Sequence, residues 1–315
     1  MKKENTTIYI LCITFVICIT ALLALFFVNM NQNRQTILAY QNTVSDMSLE
    51  NERHLNTISN YEQQILAGDE SFKTEREQYE QHISALENEL LLYTPTKGNT
   101  KTWAPTQTKT VYLTFDDGPS TNTDKILDIL DEKGVKATFF VVASGYYAPL
   151  KRAHESGHAI GLHTYSHDYS VVYASEEAYF KDLKKIDDLV YSQIGIRSKI
   201  IRFPGGASNG VSKKYSTGIM QKLTRSVLRE GYVFFDWNCA NNDATGEPID
   251  RAGMLRAVKE SAKNKNCVCV LMHDTKAKNT TVEALPDIID YFMEEGYEFG
   301  VLTDKMPYLC QPLNN

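Results

Sequence analysis

From Lys109 onward, short apolar runs rich in β-branched and aromatic residues alternate with amphipathic helical patterns, and this restricts the fold more than any other feature of the chain. The strand candidates are Val111–Phe115, Ala137–Val142, His158–Leu162, Lys199–Phe203, Tyr232–Trp237, Cys267–Met272 and Glu298–Leu302. Between them lie helical patterns such as TDKILDILDEKG, ASEEAYFKDLKKIDDLVYSQIG and DRAGMLRAVKESAKNKN. Parallel neighbours need a long crossover, and a helix supplies it, so the alternation predicts an α/β fold with a parallel sheet. About seven such repeats in roughly 200 residues predict a barrel, complete or one strand short, rather than an open sheet.

Upstream the chain changes character. Ile8 to Val28 contains no charged residue and, at about 1.5 Å per residue, is long enough to cross a bilayer core of roughly 30 Å. A cleavable signal peptide is the competing reading, but its apolar region is shorter and ends in a small-residue site that is missing here. Lys2 and Lys3 precede the run and Arg34 is the next basic residue, so the positive-inside rule predicts a single-pass membrane protein with its N-terminus in the cytoplasm and all that follows Val28 outside.

From Asn29 to Tyr93 the composition is Gln-, Glu- and Asn-rich with no proline, as in a long solvated helix. Ile37, Val44, Asn51, Ile58, Ile65, Phe72, Tyr79, Leu86 and Tyr93 recur every seven residues, which predicts a coiled-coil stalk and a homodimer; a single amphipathic or partly disordered spacer is the alternative. Pro95, Gly98 and Pro105 then break the pattern. The expected organisation is 1–28 cytoplasmic tip and anchor, 29–93 stalk, 94–108 linker, 109–310 outer domain and 311–315 tail. A net charge of −6 argues against a nucleic-acid partner, which calls for a basic stripe. Cys239, Cys267, Cys269 and Cys310 are too few for a disulfide framework, and Cys267 and Cys269 alternate as packing residues of a strand do.

The residues at the strand ends carry the chemistry. The first strand ends in Asp116-Asp117, the third is followed by His163 and His167, the fourth carries Arg202, the fifth is followed by Asn238 and Asp243, and the sixth by His273. In a parallel barrel all of these converge on the carboxyl-terminal face. Two adjacent carboxylates repel each other, so a cation is expected beside them. The His163 and His167 spacing is one that lets two imidazoles on one side of a helical turn share a metal, and with one carboxylate they form three ligands with an open position, the pattern of a catalytic site. The second carboxylate is then free to act as a base, offset by Arg202. His273 reads either as a core histidine or, opposite a base, as the general acid.

In this order TFDDGPS, HTYSH, RFPGG, DWNCANNDA and LMHD resemble the five motifs of the polysaccharide deacetylases, carbohydrate esterase family four with its nodulation-type homology domain. The resemblance spans Lys109 to Tyr308. It implies a distorted (β/α) barrel, Asp116 as base, Asp117, His163 and His167 as ligands of one divalent ion (zinc, with cobalt or nickel as substitutes), Arg202 bound to the base, His273 as acid tuned by Asp243, and Gly205 and Trp237 at the substrate and oxyanion. Three departures concern the acyl pocket: Gly205 stands where the family has an aromatic residue after the proline, Asp243-Ala244 replaces Asp-Trp, and Ala240 stands three residues earlier where an Asp is frequent.

The function expected is removal of N-acetyl groups from a cell-envelope glycan, with the N-acetylglucosamine of peptidoglycan favoured by resemblance. N-Acetylmuramic acid, poly-N-acetylglucosamine and acetylated xylan remain open as substrates. A catalytically inactive glycan-binding scaffold would have no use for the complete set of base, ligands, arginine and acid. A phosphodiesterase would call for a second metal and more carboxylates.

Overall fold

The computed structural model describes residues 45–63 and 108–315, which belong to two compact units, 1–92 and 93–315. In the first unit residues 45–63 are helical, and of the seven-residue stripe only Asn51 and Ile58 fall there. The apolar run Ile8–Val28, the rest of the stalk and the linker up to residue 107 lie outside the described residues. No helix among the described residues is long and apolar enough to cross a membrane.

The second unit is built on eight parallel strands: β1 Thr110–Asp116, β2 Thr138–Val141, β3 Ala159–Leu162, β4 Ile200–Ile201, β5 Val233–Phe234, β6 Cys239–Ala240, β7 Cys267–His273 and β8 Glu298–Gly300. Their order is β5-β4-β3-β2-β1-β7-β6, with β8 also on β1. β1 and β7 run in register along their whole length, from Thr110 beside Cys267 to Asp116 beside His273. The other edge of β1 is shared: β8 takes Thr110–Tyr112 and β2 takes Thr114–Asp116. β5 and β6 end the sheet on opposite sides, yet only the short link from Phe234 to Cys239 joins them, a reach of at most about 18 Å. The sheet therefore curls into a distorted barrel with an unpaired seam between β5 and β6.

All seven predicted strands are present, with 199–203 and 232–237 contracted to the two-residue strands β4 and β5. β6 is a further strand, too short to carry a periodic signal. A regular barrel would set the fifth predicted strand, which Asp243 follows, beside the sixth; instead the segment carrying Asp243 reaches β7 through β6, and β5 lies at the far end of the sheet.

Seven helices cover the sheet: α1 Thr121–Lys133, α2 Ala148–Glu155, α3 Tyr169–Val172, α4 Glu176–Ile194, α5 Ile219–Arg229, α6 Arg251–Ala262 and α7 Asn279–Glu294. α4 shows why they form. Ser175 caps its N-terminus through the Ala178 N–H, Gly195 ends it in the left-handed region, and Tyr179, Leu183, Ile186 and Val190 make one buried face at 4-3-4 spacing. The core unites that face with β1, β3 and β7. Residues 311–315, expected as a tail, belong to the domain instead. Leu313 is buried, the Gln311 N–H donates to Asp236 Oδ2, and Asn315 Oδ1 accepts the Gly218 N–H. Asn315 and Gln311 are polar in sequence, and only their partners from α5 and the β5–β6 link make them structural.

Candidate active site

Apart from Asn238, every residue singled out at a strand end lies on the carboxyl-terminal face of the sheet. Asp116 is the last residue of β1, 2 % exposed, and its Oδ1 accepts from Arg202 Nη1 at 2.8 Å. Arg202 follows β4 and is fully buried. Its remaining donors reach Thr114 Oγ1 and the carbonyls of Phe235 and Asp236, and its guanidinium stacks 4.3 Å from the Phe140 ring centre and 5.8 Å from that of Trp237. Burial pushes the Asp116 carboxyl above the usual carboxylate range, and the Arg202 charge works against that rise.

Asp117, His163 and His167 offer ligand atoms that all lie within 4.8 Å of one another. His163 Nδ1 donates to the Arg202 carbonyl at 2.7 Å. Burial pushes the imidazole pKa down to about 3, so the ring is neutral and its Nε2 carries a lone pair. That Nε2 faces Asp117 Oδ1 at 3.5 Å, and His167 Nε2 faces the same oxygen at 3.2 Å. Asp117 Oδ1 is buried and accepts no hydrogen bond. Two lone-pair-bearing atoms held face to face away from water need a cation between them. The separations also match the edge of roughly 3.3 Å expected of a tetrahedral ion with ligands about 2.0–2.1 Å away. The residues present thus fit one divalent metal ion.

The two histidines do not meet across a helical turn, as their spacing predicts. Residues 163–168 are irregular, with Thr164 at φ 70° and His167 at φ 50°. Asp182 of α4 holds this turn by accepting the N–H groups of Tyr165 and Ser166 at 2.5 and 3.1 Å. Asp117 too has a positive φ of 70°, as does Asn242 beside Asp243. Four of the five non-glycine residues in the left-handed region among the described residues therefore flank this face, where surrounding structure must hold an otherwise costly backbone.

On the opposite edge of β1, His273 ends β7. Asp243 Oδ1 accepts from its Nδ1 at 2.7 Å and Asp243 Oδ2 from its backbone N–H at 2.9 Å. Burial alone would lower the imidazole pKa, but the Asp243 hydrogen bond and charge outweigh it and push it up to about 9. Gly205, φ 74°, follows Pro204 in the turn after β4, and its N–H donates no hydrogen bond among the described residues. Trp237 lies against Gly206, where an added Cβ would come within 2.9 Å of the indole. Asn238, by contrast, is structural: its side chain donates to the Cys267 carbonyl and accepts the Cys269 N–H, fastening the β5–β6 link to β7. The four cysteines among the described residues are unpaired thiols.

A family model described as polysaccharide deacetylase matches residues 104–220. The peptidoglycan-N-acetylglucosamine deacetylase of Bacillus cereus is 30% identical over 204 residues, covering 62% of this chain and 70% of that protein. The chain is a member of the polysaccharide deacetylase family, carbohydrate esterase family four. Solved structures agree. The catalytic domain of the peptidoglycan N-acetylglucosamine deacetylase from Eubacterium rectale superposes with a TM-score of 0.65 at 38% identity, over 69% of this chain and 99% of that one. A Streptococcus mutans esterase of the same family gives 0.54 at 33% identity, over 62% and 87%. Members of this family are hydrolytic deacetylases that act on N-acetyl groups, and this chain is such an enzyme.

In this deacetylase one buried acid stands out that sequence reading passes over. Asp274 accepts from Thr123 Oγ1 at 2.5 Å, its backbone carbonyl accepts from Ser120 Oγ at 2.5 Å, and burial pushes its carboxyl up to about 7. A Cβ at Gly118 would lie 2.1 Å from its Oδ2, so only glycine fits after Asp116-Asp117. Asp274 thereby fastens the turn bearing the metal-ligand candidate Asp117 to the turn bearing His273. Its adjacency to His273 in LMHD is the one sequence signal that pointed to it.

Proposed function

We propose that this enzyme hydrolyses N-acetyl groups of cell-envelope glycan, with N-acetylglucosamine of peptidoglycan as the sugar attacked and zinc as the ion, cobalt or nickel serving in its place. The observation that carries this reading is the convergence of His163 Nε2, His167 Nε2 and Asp117 Oδ1 on one point beside the Arg202-bound Asp116. When bound, the ion supplies Lewis acidity that polarises an acyl carbonyl and acidifies water. Asp116, with Oδ1 engaged by Arg202, presents Oδ2 as the base that takes the proton of the attacking water. The Gly205 N–H donates to the oxygen that gains charge as the water oxygen bonds to the acyl carbon. His273, whose Nδ1 is held by Asp243, delivers its Nε2 proton to the departing nitrogen as the C–N bond breaks, leaving acetate and a free amine.

The substrate reading is supported by the names of the Bacillus cereus and Eubacterium rectale relatives. The charge-free run Ile8–Val28 behind Lys2 and Lys3 supports a membrane-anchored domain facing outward, and the seven-residue stripe supports a dimeric stalk. Incubating purified full-length protein with defined N-acetylglucosamine and N-acetylmuramic acid oligomers, and measuring acetate, tests the reaction. Release from the former is expected, with His163→Ala lacking both metal and activity. A His163→Ala protein that retains a full complement of ion would overturn the ligand assignment.

A further inference from the structure

Gly205 and Gly206 leave a bare stretch of backbone beside the metal-ligand candidates, and an aromatic side chain has moved over it. A Cβ built at Gly205 would lie 2.5 Å from Tyr169 Oη and 3.4 Å from its Cζ, so the phenol end occupies the volume a side chain at 205 would fill. At its other end the Tyr169 ring packs edge-on against His167, with centroids 5.8 Å apart. One tyrosine therefore reaches from the His167 imidazole to the side-chain face of Gly205, the residue whose N–H donates no hydrogen bond among the described residues.

Its position is fixed from behind. Tyr169 is the first residue of α3, which Asp168 caps by accepting the Ser170 N–H. Its ring packs against buried Tyr173 at 5.4 Å, and the Tyr173 hydroxyl donates to the Pro204 carbonyl at 2.6 Å, immediately before Gly205. Tyr173 thus ties the Tyr169 ring and the Gly205 turn to one anchor. The Tyr169 hydroxyl itself has no hydrogen-bond partner among the described residues, unlike that of Tyr173. A tyrosine whose ring is fixed by packing, and whose free O–H meets a residue with a free backbone N–H, brings two donors to one turn, as a site for one oxygen needs.

We infer that Tyr169 donates its hydroxyl hydrogen bond, together with the Gly205 N–H, to the acyl oxygen of the substrate, and that its ring sets the size of the acyl slot. This rests on the deacetylase reading above. A donor that matters most as charge develops on that oxygen lowers turnover when removed and leaves KM nearly unchanged. The residue is invisible to motif reading because it lies outside the motif positions and reaches Gly205 only through the fold.

The test compares full-length wild-type protein with Tyr169→Phe and Tyr169→Ala, all loaded with zinc. Three quantities are read: kcat and KM on N-acetyl and N-propionyl glucosamine oligomers, ion content, and the affinity for acetate by calorimetry. Tyr169→Phe is expected to keep its ion, lose on the order of 10²-fold in kcat with KM little altered, and bind acetate about tenfold more weakly. Tyr169→Ala is expected to shift the propionyl-to-acetyl preference by at least about tenfold. Wild-type kcat and acetate affinity in Tyr169→Phe would overturn the inference, as would a loss that merely follows loss of the ion. A metal-loaded wild type that binds acetate but releases none from any glycan would count against the deacetylase reading, and the acetate titration would still decide the role of Tyr169.

Discussion

Two carboxylates of this site each sit against a cation, and their proton affinities move in opposite directions. Asp116 lies 2.8 Å from Arg202 and is raised; Asp243 lies 2.7 Å from His273 and is lowered. Burial pushes both up, so the difference lies in what answers it. Asp243 accepts the His273 Nδ1–H and backbone N–H, the Thr281 hydroxyl at 2.8 Å and the Asn241 amide at 3.3 Å, and this set outweighs desolvation. Asp116 has Arg202 alone among side-chain donors, because its second oxygen is kept open toward the metal-ligand candidates. A carboxylate engaged by donors at both oxygens holds another group in place, whereas one with an oxygen left open can take a proton.

The sharpest way to break this contrast is to neutralise the half-satisfied acid. Asp116→Asn is expected to keep the ion and to lower kcat by a factor on the order of 10²–10⁴. If instead it loses the ion while Asp117→Asn retains it, the two roles are exchanged, and metal analysis with kinetics on both variants decides. Next in size is removal of the cation that offsets Asp116. Arg202→Leu leaves a buried carboxylate and two carbonyls without their donor and is expected to destabilise the domain by about 3–5 kcal/mol, read by denaturant unfolding. Replacing Asp116 by Leu in the same chain should recover part of that loss but none of the activity, since Thr114 and the Phe235 and Asp236 carbonyls still lack Arg202.

The smallest expected effect sharpens the other half of the comparison. The folded-state pKa of His273, about 9, lies above the roughly 6.5 of a free imidazole. The stabilisation that the Asp243 pair gives is therefore complete below about pH 6.5 and is lost as pH rises through about 9. An acid must be protonated to act, so turnover should fall along an alkaline limb near that upper value. Asp243→Asn should move this limb toward neutral pH, leaving the acid limb and the ion content unchanged. An unmoved limb in a folded, metal-loaded variant would show that another group keeps His273 protonated.

What could be read without coordinates follows from burial. β1 and β7 are covered on both faces, so they appear as long β-branched runs, and the residues ending them, Asp116 and His273, could be singled out at once. β4, β5 and β6 are two residues each and held by their neighbours, which is why two were overestimated and one was missed. The same limit applies to side chains. Asp182, Asp236 and Asp274 read as ordinary acids. They acquire roles through backbone donors at Tyr165 and Ala207 and the hydroxyl of Thr123, groups 17, 29 and 151 residues away.

The sequence by itself therefore determined the kind of fold, the residues that gather at the site and the end of the sheet at which they meet, because periodicity and strand-end position are local properties of the chain; the division of Asp116 and Asp117 into base and ligand came from the family resemblance. Tertiary structure decided how they meet. It replaced a helical turn at His163 and His167 by a loop with two left-handed residues, brought Asp243 to His273 through β6, and laid Tyr169 over Gly205. Each of these depends on a partner that only packing supplies. A backbone held at positive φ and a buried carboxylate left half satisfied are costly in isolation, and they persist because the surrounding core holds them.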